Sequence, residues 1–445
     1  MAHWCIALQT VGCRVSAEVG GAAGPRPSLT GPAGTTFVTP GVGNAGTVTG
    51  TTATLAAGAS RTFTLVVNAD SSLVDGDTIT NTATVTTTTG ETSTTNNTST
   101  TSISVVDQGG GGGGLEDFCN FETLNVPGAD RTAEIRDNPD NSGTNVLVIT
   151  GSSGNDTIQV LPDGSSRMRV TINGRTVLRA SRSDADSIVV FAGSGNDTVI
   201  INAALQTSAL LLGEDGNDNL YGAKGNDTLD GGSGNDRLFG GLGNDILCGD
   251  EGNDYLYGQA GNDSLGGDEG NDKIYGEAGD DYAVGGEGND SVYGGLGNDR
   301  VYGLGGNDKV FGEAGNDVVV GGSGNDALYG GAGRDFVVGG EGSDKFFGDS
   351  GDDVLIGGNT SFEEDDVALS AFMAELSSTS SFNNRLNNFQ TGGGLTDGNI
   401  LDESTVFNDN SADEFFGGSN SDLFFSSSGD RLRDRTSTDR NVSIA

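Results

Sequence analysis

The sequence predicts an all-β protein centred on a stacked β-solenoid of nonapeptide repeats, with a small partial β-sandwich before it and a short helical cap after it. Three observations lead there. From Gly213 to Ile356 the chain runs through sixteen nonapeptides without an insertion, as in GGSGNDRLFGGLGNDILCGD at 231–250. Positions 1 and 4 are Gly in all sixteen, position 6 is Asp in all sixteen, and position 8 is large and apolar in fifteen, Ala283 being the exception. Six residues of glycine-rich loop and three of strand cannot bury a core alone, so each unit must be one rung of a stack. Position 9 then gives the coil size. In odd repeats it is always aromatic: Tyr221, Phe239, Tyr257, Tyr275, Tyr293, Phe311, Tyr329 and Phe347. In even repeats it reads Asp230, Cys248, Gly266, Val284, Tyr302, Val320, Val338 and Ile356. The true period is 18, so two nonapeptides make one coil and odd and even strands occupy opposite sheets. Eight coils at strand spacing give a rod of roughly 35–40 Å.

Composition limits the function. With 63 acidic against 22 basic residues the 445-residue chain carries a net charge of −41. Nucleic acid and anionic membranes would repel it, whereas cations would be drawn to it. The 77 glycines are periodic, which separates the chain from disordered sequences of similar content. Cys5, Cys13, Cys119 and Cys248 form no CxxC pair; free thiols are expected, with Cys5–Cys13 as the one bridge left open. No run of 18 apolar residues is present, so no transmembrane segment is expected. The opening MAHWCIALQTVGCRVSAEVG lacks a basic region ahead of its apolar stretch and does not read as a secretory signal peptide.

In chain order, residues 1–27 form a leader of no assigned class. Residues 28–107 are Thr-rich and alternate with period 2, as in RTFTLVVNA (61–69) and DTITNTATVTT (77–87), which reads as antiparallel strands of a partial sandwich. Its later strands resemble the immunoglobulin-like conserved-repeat module of bacterial surface proteins. The glycine run at 108–114 is a flexible linker. Residues 115–212 contain strand-like runs and two isolated loop phrases, GSSGNDTIQ (151–159) and AGSGNDTVI (192–200), and read as an irregular starter cap. The roll occupies 213–358. Residues 359–445 hold the helical cap, decayed repeats and a polar tail that reads as frayed.

The loop chemistry points to a metal. Gly at positions 1 and 4 and Asn at position 5, present in twelve repeats, permit the positive φ angles of a sharp turn. Such a turn can aim backbone carbonyls at one point, and the position-6 carboxylate adds hard anionic oxygen, a donor set suited to Ca²⁺. Turn formation alone would tolerate Asn, Ser or Gly at position 6, yet all sixteen keep the charge. The candidate ligands are Asp218, Asp227, Asp236, Asp245, Asp254, Asp263, Asp272, Asp281, Asp290, Asp299, Asp308, Asp317, Asp326, Asp335, Asp344 and Asp353. Asp156, Asp197, Asp413 and Asp422 are possible additions outside the array. The array holds 30 acids against 7 bases, a self-repelling arrangement without a cation.

This G-G-x-G-x-D-x-U-x pattern resembles the RTX, or haemolysin-type, calcium-binding repeat family. The resemblance implies a right-handed parallel β-roll and Ca²⁺ as cofactor, about 14 ions if each sits between successive coils. It also implies one-step secretion and an extracellular or cell-surface location.

Position 9 lies on an outer face, so the aromatic row is expected to stack from coil to coil and stiffen the sheet; a platform for surface polysaccharide or cell envelope is the sharper alternative. On the other sheet, Val318, Val320, Phe336, Val338, Val354 and Ile356 make a late apolar patch that needs a cover. Residues 361–390 offer one, with Ser361 as N-cap and Val367, Ala371, Phe372 and Leu376 on one face, continued by Phe382, Leu386 and Phe389. An enzyme is not expected. The GDSG at 348–351 falls inside a repeat, and the single histidine, His3, excludes both a nearby triad and HExxH. The expected function is a secreted calcium-binding repeat protein whose roll folds and rigidifies on Ca²⁺, with an adhesin or matrix protein as the alternative.

Overall fold

The computed structural model describes residues 131–137, 144–362, 366–396, 399–402 and 404–444, together with the backbone of eight strands between residues 2 and 104. The chain divides into two units, 1–113 and 114–445. In the first, strands Ala2–Leu8 and Ser28–Thr30 flank Arg61–Val67, and Arg14–Val19 and Thr35–Val38 flank Gly46–Thr52, all antiparallel. Thr78–Thr84 pairs with Thr98–Ser104. Two of these strands come from residues 1–27. The linker at 108–114 lies outside the described residues, as do Cys119 and the side chains of His3, Cys5 and Cys13.

The second unit is a β-solenoid of two fourteen-stranded sheets, parallel except at the edges where the chain enters. One, the ladder sheet, carries the odd repeats; the other, the capped sheet, carries the even ones. Register advances by 18 residues per coil, pairing Leu220 with Leu238 and Leu238 with Leu256. Position 8 of both sheets points inward and forms one continuous core in which Leu220, Leu229 and every later member through Leu355 are fully buried. Ala283 is buried in the same row. At the entry end, hairpin strands Arg167–Ile172 and Arg175–Ser181 and strand Thr132–Asp137 close the sheets with antiparallel edges.

The array does not stop at Ile356. Gly357–Thr360 supply positions 1 to 4 of a seventeenth repeat, and residues 412–416 supply positions 5 to 9 after an excursion over 361–411. The structure joins the halves: a Cβ on Gly357 would lie 2.6 Å from Asp413 Oδ2, the relation Gly213 has with Asp218. Lys345–Phe347 pairs in register with Glu414–Phe416. Residues 417–425 are an eighteenth repeat, paired through Val354–Ile356. The tail is ordered rather than frayed, with strands Arg431–Leu432 and Arg440–Ser443 adding a last rung to each sheet.

The excursion covers the capped sheet. Helix α1 (Asp366–Leu376) and helix α2 (Phe382–Thr391) lie over Val318, Val320, Phe336, Val338, Val354 and Ile356, all buried. Ala368, Leu369, Phe372, Leu376 and Phe389 provide the contact, while Ala371 is only partly buried and the side chain of Val367 lies outside the described residues. The N–H of Ser361 donates to the Thr405 carbonyl; residues 363–365, and with them the capping expected of Ser361, lie outside the described residues, and α1 is described from Asp366. Departures from the repeat consensus fix the helices in place. Arg334, at a position 5 that is Asn in twelve of the sixteen repeats, donates to the carbonyls of Leu376 and Ser378 at the end of α1. Buried Arg385 of α2 pairs with Asp352 at 2.5 Å.

Candidate metal centre

Each loop turns through two residues with positive φ, at positions 2 and 4. At position 4 the glycine is needed twice over, because a Cβ on Gly234 would also overlap the carbonyl oxygen of Gly216 one coil earlier. Position 2 reaches the same left-handed region with Glu214, Asp250 or Leu304. This corrects the expectation for positions 1 and 5, neither of which takes positive φ within the array. Position-1 glycine is demanded by contact: a Cβ on Gly213 would lie 2.5 Å from Asp218 Oδ2 and overlap the Gly231 carbonyl oxygen. The position-5 asparagines build a ladder outside the turn, Asn235 donating its backbone and side-chain N–H to Asn217 Oδ1 at 2.9 and 3.0 Å.

The position-6 aspartates build a second ladder inside it. Each carboxylate reaches back one coil, its Oδ1 accepting the backbone N–H of the preceding aspartate at 2.6–3.0 Å, from Asp218→Asp236 to Asp335→Asp353. The other oxygen, Oδ2, is buried without a hydrogen-bond partner in all sixteen. A buried anionic oxygen with no partner is costly, and a nearby cation is the usual remedy. Burial raises these carboxyls, most of them to about 6 to 7, against the lowering effect of the donated N–H. Asp254 is pushed up to about 8, first by burial and further by the charges of Asp272 and Asp236 one coil away on either side. The columns therefore repel themselves as they stand.

The donor set fits Ca²⁺. Eleven of the sixteen rungs set an orphaned carboxylate oxygen and a next-coil backbone carbonyl against the same point, as Asp218 Oδ2 and the Gly231 carbonyl do above Gly213. Among the described residues no three His, Cys, Asp or Glu side chains converge on one point. A site here is made of one or two carboxylates with carbonyls, hard oxygen donors in an irregular shell.

The possible additions outside the array separate. Asp197 and Asp422 repeat the pattern, each with Oδ2 buried and unpartnered. Asp413 accepts the Asp344 N–H at 2.9 Å and continues the ladder. Asp156 differs: Arg131 and Asn173 donate to its Oδ1 at 2.8 and 2.6 Å, and Ser152 to its Oδ2 at 2.7 Å. Burial alone would raise its carboxyl, yet these donors and the guanidinium charge hold it below the usual value. Sequence reading missed Asp430 and Asp439, which accept the N–H groups of Asp413 and Asp422. Their spacing of 17, one short of the coil period, was the available signal.

The aromatic row stacks over its whole length. Ring centroids from Tyr221 to Phe347 are 4.4–5.0 Å apart with interplanar angles of 1–9°, and Phe416 of the seventeenth repeat extends the stack. Rings so stacked cover one another's faces and present edges outward. A glycan platform works through exposed ring faces, so the geometry favours stiffening.

Fold and loops define a class: a parallel β-solenoid whose turns hold columns of carboxylate and carbonyl oxygen. Residues 148–159, 212–247, 249–283, 275–310, 293–328, 302–337 and 329–360 match the family model of the RTX calcium-binding nonapeptide repeat. The solenoid is an RTX β-roll, and its repeats are of the calcium-binding type. No curated protein matches the chain. Among the described residues no helix is long and apolar enough to cross a membrane.

Proposed function

We propose that the chain is a secreted or cell-surface calcium-binding protein whose β-roll folds and stiffens as calcium is bound. The carrying observation is the row of sixteen buried, unpartnered Oδ2 atoms, which repeats once per nonapeptide and makes the same demand at each rung. The position-6 carboxylates and neighbouring carbonyls would hold Ca²⁺, which supplies the positive charge that the columns lack. At the low calcium of a cytosol the array, with net charge −23, is an expanded and self-repelling chain. At the ~10⁻⁴–10⁻³ M typical of extracellular calcium modules, neutralised rungs stack on one another cooperatively. Secretion in the unfolded state and assembly outside follow from that difference.

A calcium titration of the full chain, followed by circular dichroism and calorimetry together, tests the reading. The expected result is a sigmoidal gain of β signal in that concentration range, with heat evolved over the same interval. A titration without heat, or β signal complete before calcium is added at pH 7.5, would contradict it.

A further inference from the structure

The orphaned oxygens do not end where the sixteen consensus repeats end. On the ladder sheet's loops, the Asp156 N–H donates to Asp197 Oδ1 and the Asp197 N–H to Asp218 Oδ1, both at 2.6 Å, and Asp197 Oδ2 is buried and unpartnered. On the capped sheet's loops, the Asp353 N–H donates to Asp422 Oδ1 at 3.2 Å, and Asp422 Oδ2 is likewise buried and unpartnered. Both aspartates are fully buried. Beyond them the pattern changes. Asp156 carries three side-chain donors, one a guanidinium, and a Cβ on Gly151 would stand 3.3 Å from its Oδ2 against 2.5 Å at Gly213. At the other end Ser427 N–H donates to Asp430 Oδ2, and Thr436 N–H to Asp439 Oδ2. The even column opens at Ala209, which stands at position 6 with no carboxylate to offer while its N–H donates to Asp227 Oδ1 at 2.7 Å.

We infer that Asp197 and Asp422 are calcium-binding rungs outside the unbroken array, and that Asp156, Asp430 and Asp439 close the columns with the protein's own donors in place of an ion. The inference rests on the calcium reading above and adds where the columns start and stop. Arg131 then stands at the entry end as a built-in cation. The rung shared by Asp353 and Asp422 straddles the excursion over 361–411, so an ion held there ties the solenoid together on both sides of its helical cover.

Native mass spectrometry of the full chain in calcium, which counts ions one at a time, tests this with isosteric variants. D197N and D422N are each expected to carry about one ion fewer than the unsubstituted chain, and D156N the same number. Unchanged counts in D197N and D422N, or a lost ion in D156N, would overturn the assignment. Should D422N fail to give the calcium-loaded circular dichroism spectrum, Arg131→Ala provides an independent reading. Freed of its guanidinium, the Asp156 rung should accept about one further ion, and an unchanged count overturns the closure. An unsubstituted chain that binds no calcium would instead sink the calcium reading itself, a result distinct from these.

Discussion

The two sheets of the solenoid share one loop chemistry and differ in how they protect their outer faces. On the ladder sheet, position 9 is a six-membered aromatic ring in every coil of the sixteen-repeat array, and each ring covers the next at 4.4–5.0 Å. On the capped sheet the same position runs Val284, Tyr302, Val320, Val338 and Ile356 toward its later coils, a column with no ring-on-ring stack, whose outer surface the helices bury. There the chain leaves the solenoid within its seventeenth repeat, lays two helices over that surface and returns to the same rung. A flat ring wide enough to meet its neighbour in the next coil shields itself; a β-branched aliphatic needs a separate element. The excursion is affordable because a solenoid rung can be interrupted at its loop without loss of register.

The largest effect concerns what the sheets share. Burial raises the column carboxyls to about 6 to 8, above their unfolded value near 3.9. A raised folded value means that the proton favours the fold. Without calcium, that contribution is fully present below the unfolded value and is lost as pH rises through 6 to 8. In chelator, the β signal of the full chain should grow on acidification from pH 8 to pH 4.5; a signal that falls would contradict the raised values. In calcium the dependence reverses, and apparent affinity weakens below about pH 6 as protons compete for the same oxygens.

Removing the cover from one sheet comes next. Excising 361–411 joins Thr360 to Ala412 and restores an 18-residue spacing, so the roll stays in register while Val318, Phe336 and Val354 lose their helices. The calcium-loaded product should dimerise or aggregate in size-exclusion chromatography with light scattering; a stable monomer would show that the patch needs no cover. Point changes sharpen the comparison. Phe372 of α1 is fully buried with its ring 5.8 Å from Phe336, and Phe372→Ala should cost about 3–5 kcal/mol in denaturant unfolding with calcium. Tyr275→Ala, in the middle of the self-covering row, removes two stacked pairs at about 0.5–1.5 kcal/mol each beyond area, and because this ring is only half-buried its total cost should fall below that of Phe372→Ala. Equal costs would remove the distinction between the sheets.

Much of this was legible in sequence because strict periodicity ties residue type to direction. Position 8 reads as core, position 9 as outer face and position 6 as the ionic rung, since each recurs at one fixed point of the coil. What escaped lies where period or identity breaks. Asn at position 5 looked like a φ-permissive turn residue; its ladder depends on the neighbouring coil, 18 residues away, and local turn chemistry does not reveal it. The second half of the seventeenth repeat, Ala412–Phe416, read as a decayed repeat with Asp413 nine residues before Asp422; its continuity with Gly357–Thr360 was hidden by the excursion between them. Cys248, expected free, is disulfide-bonded and buried on the outer face of the capped sheet, a pairing that spacing alone does not indicate. The closure of Asp156 by Arg131 and Asn173 required knowing which strands meet at the entry edge.

Hydrogen exchange at the amides of Asp218 to Asp335 tests the central claim most directly, because each donates to the carboxylate of the next coil and reports whether that rung is assembled. With calcium at pH 7.5 these amides should be strongly protected, and with a chelator at the same pH their protection should collapse together along both columns. Full protection retained in the chelator would mean that the rungs hold without an ion, and the account would be wrong.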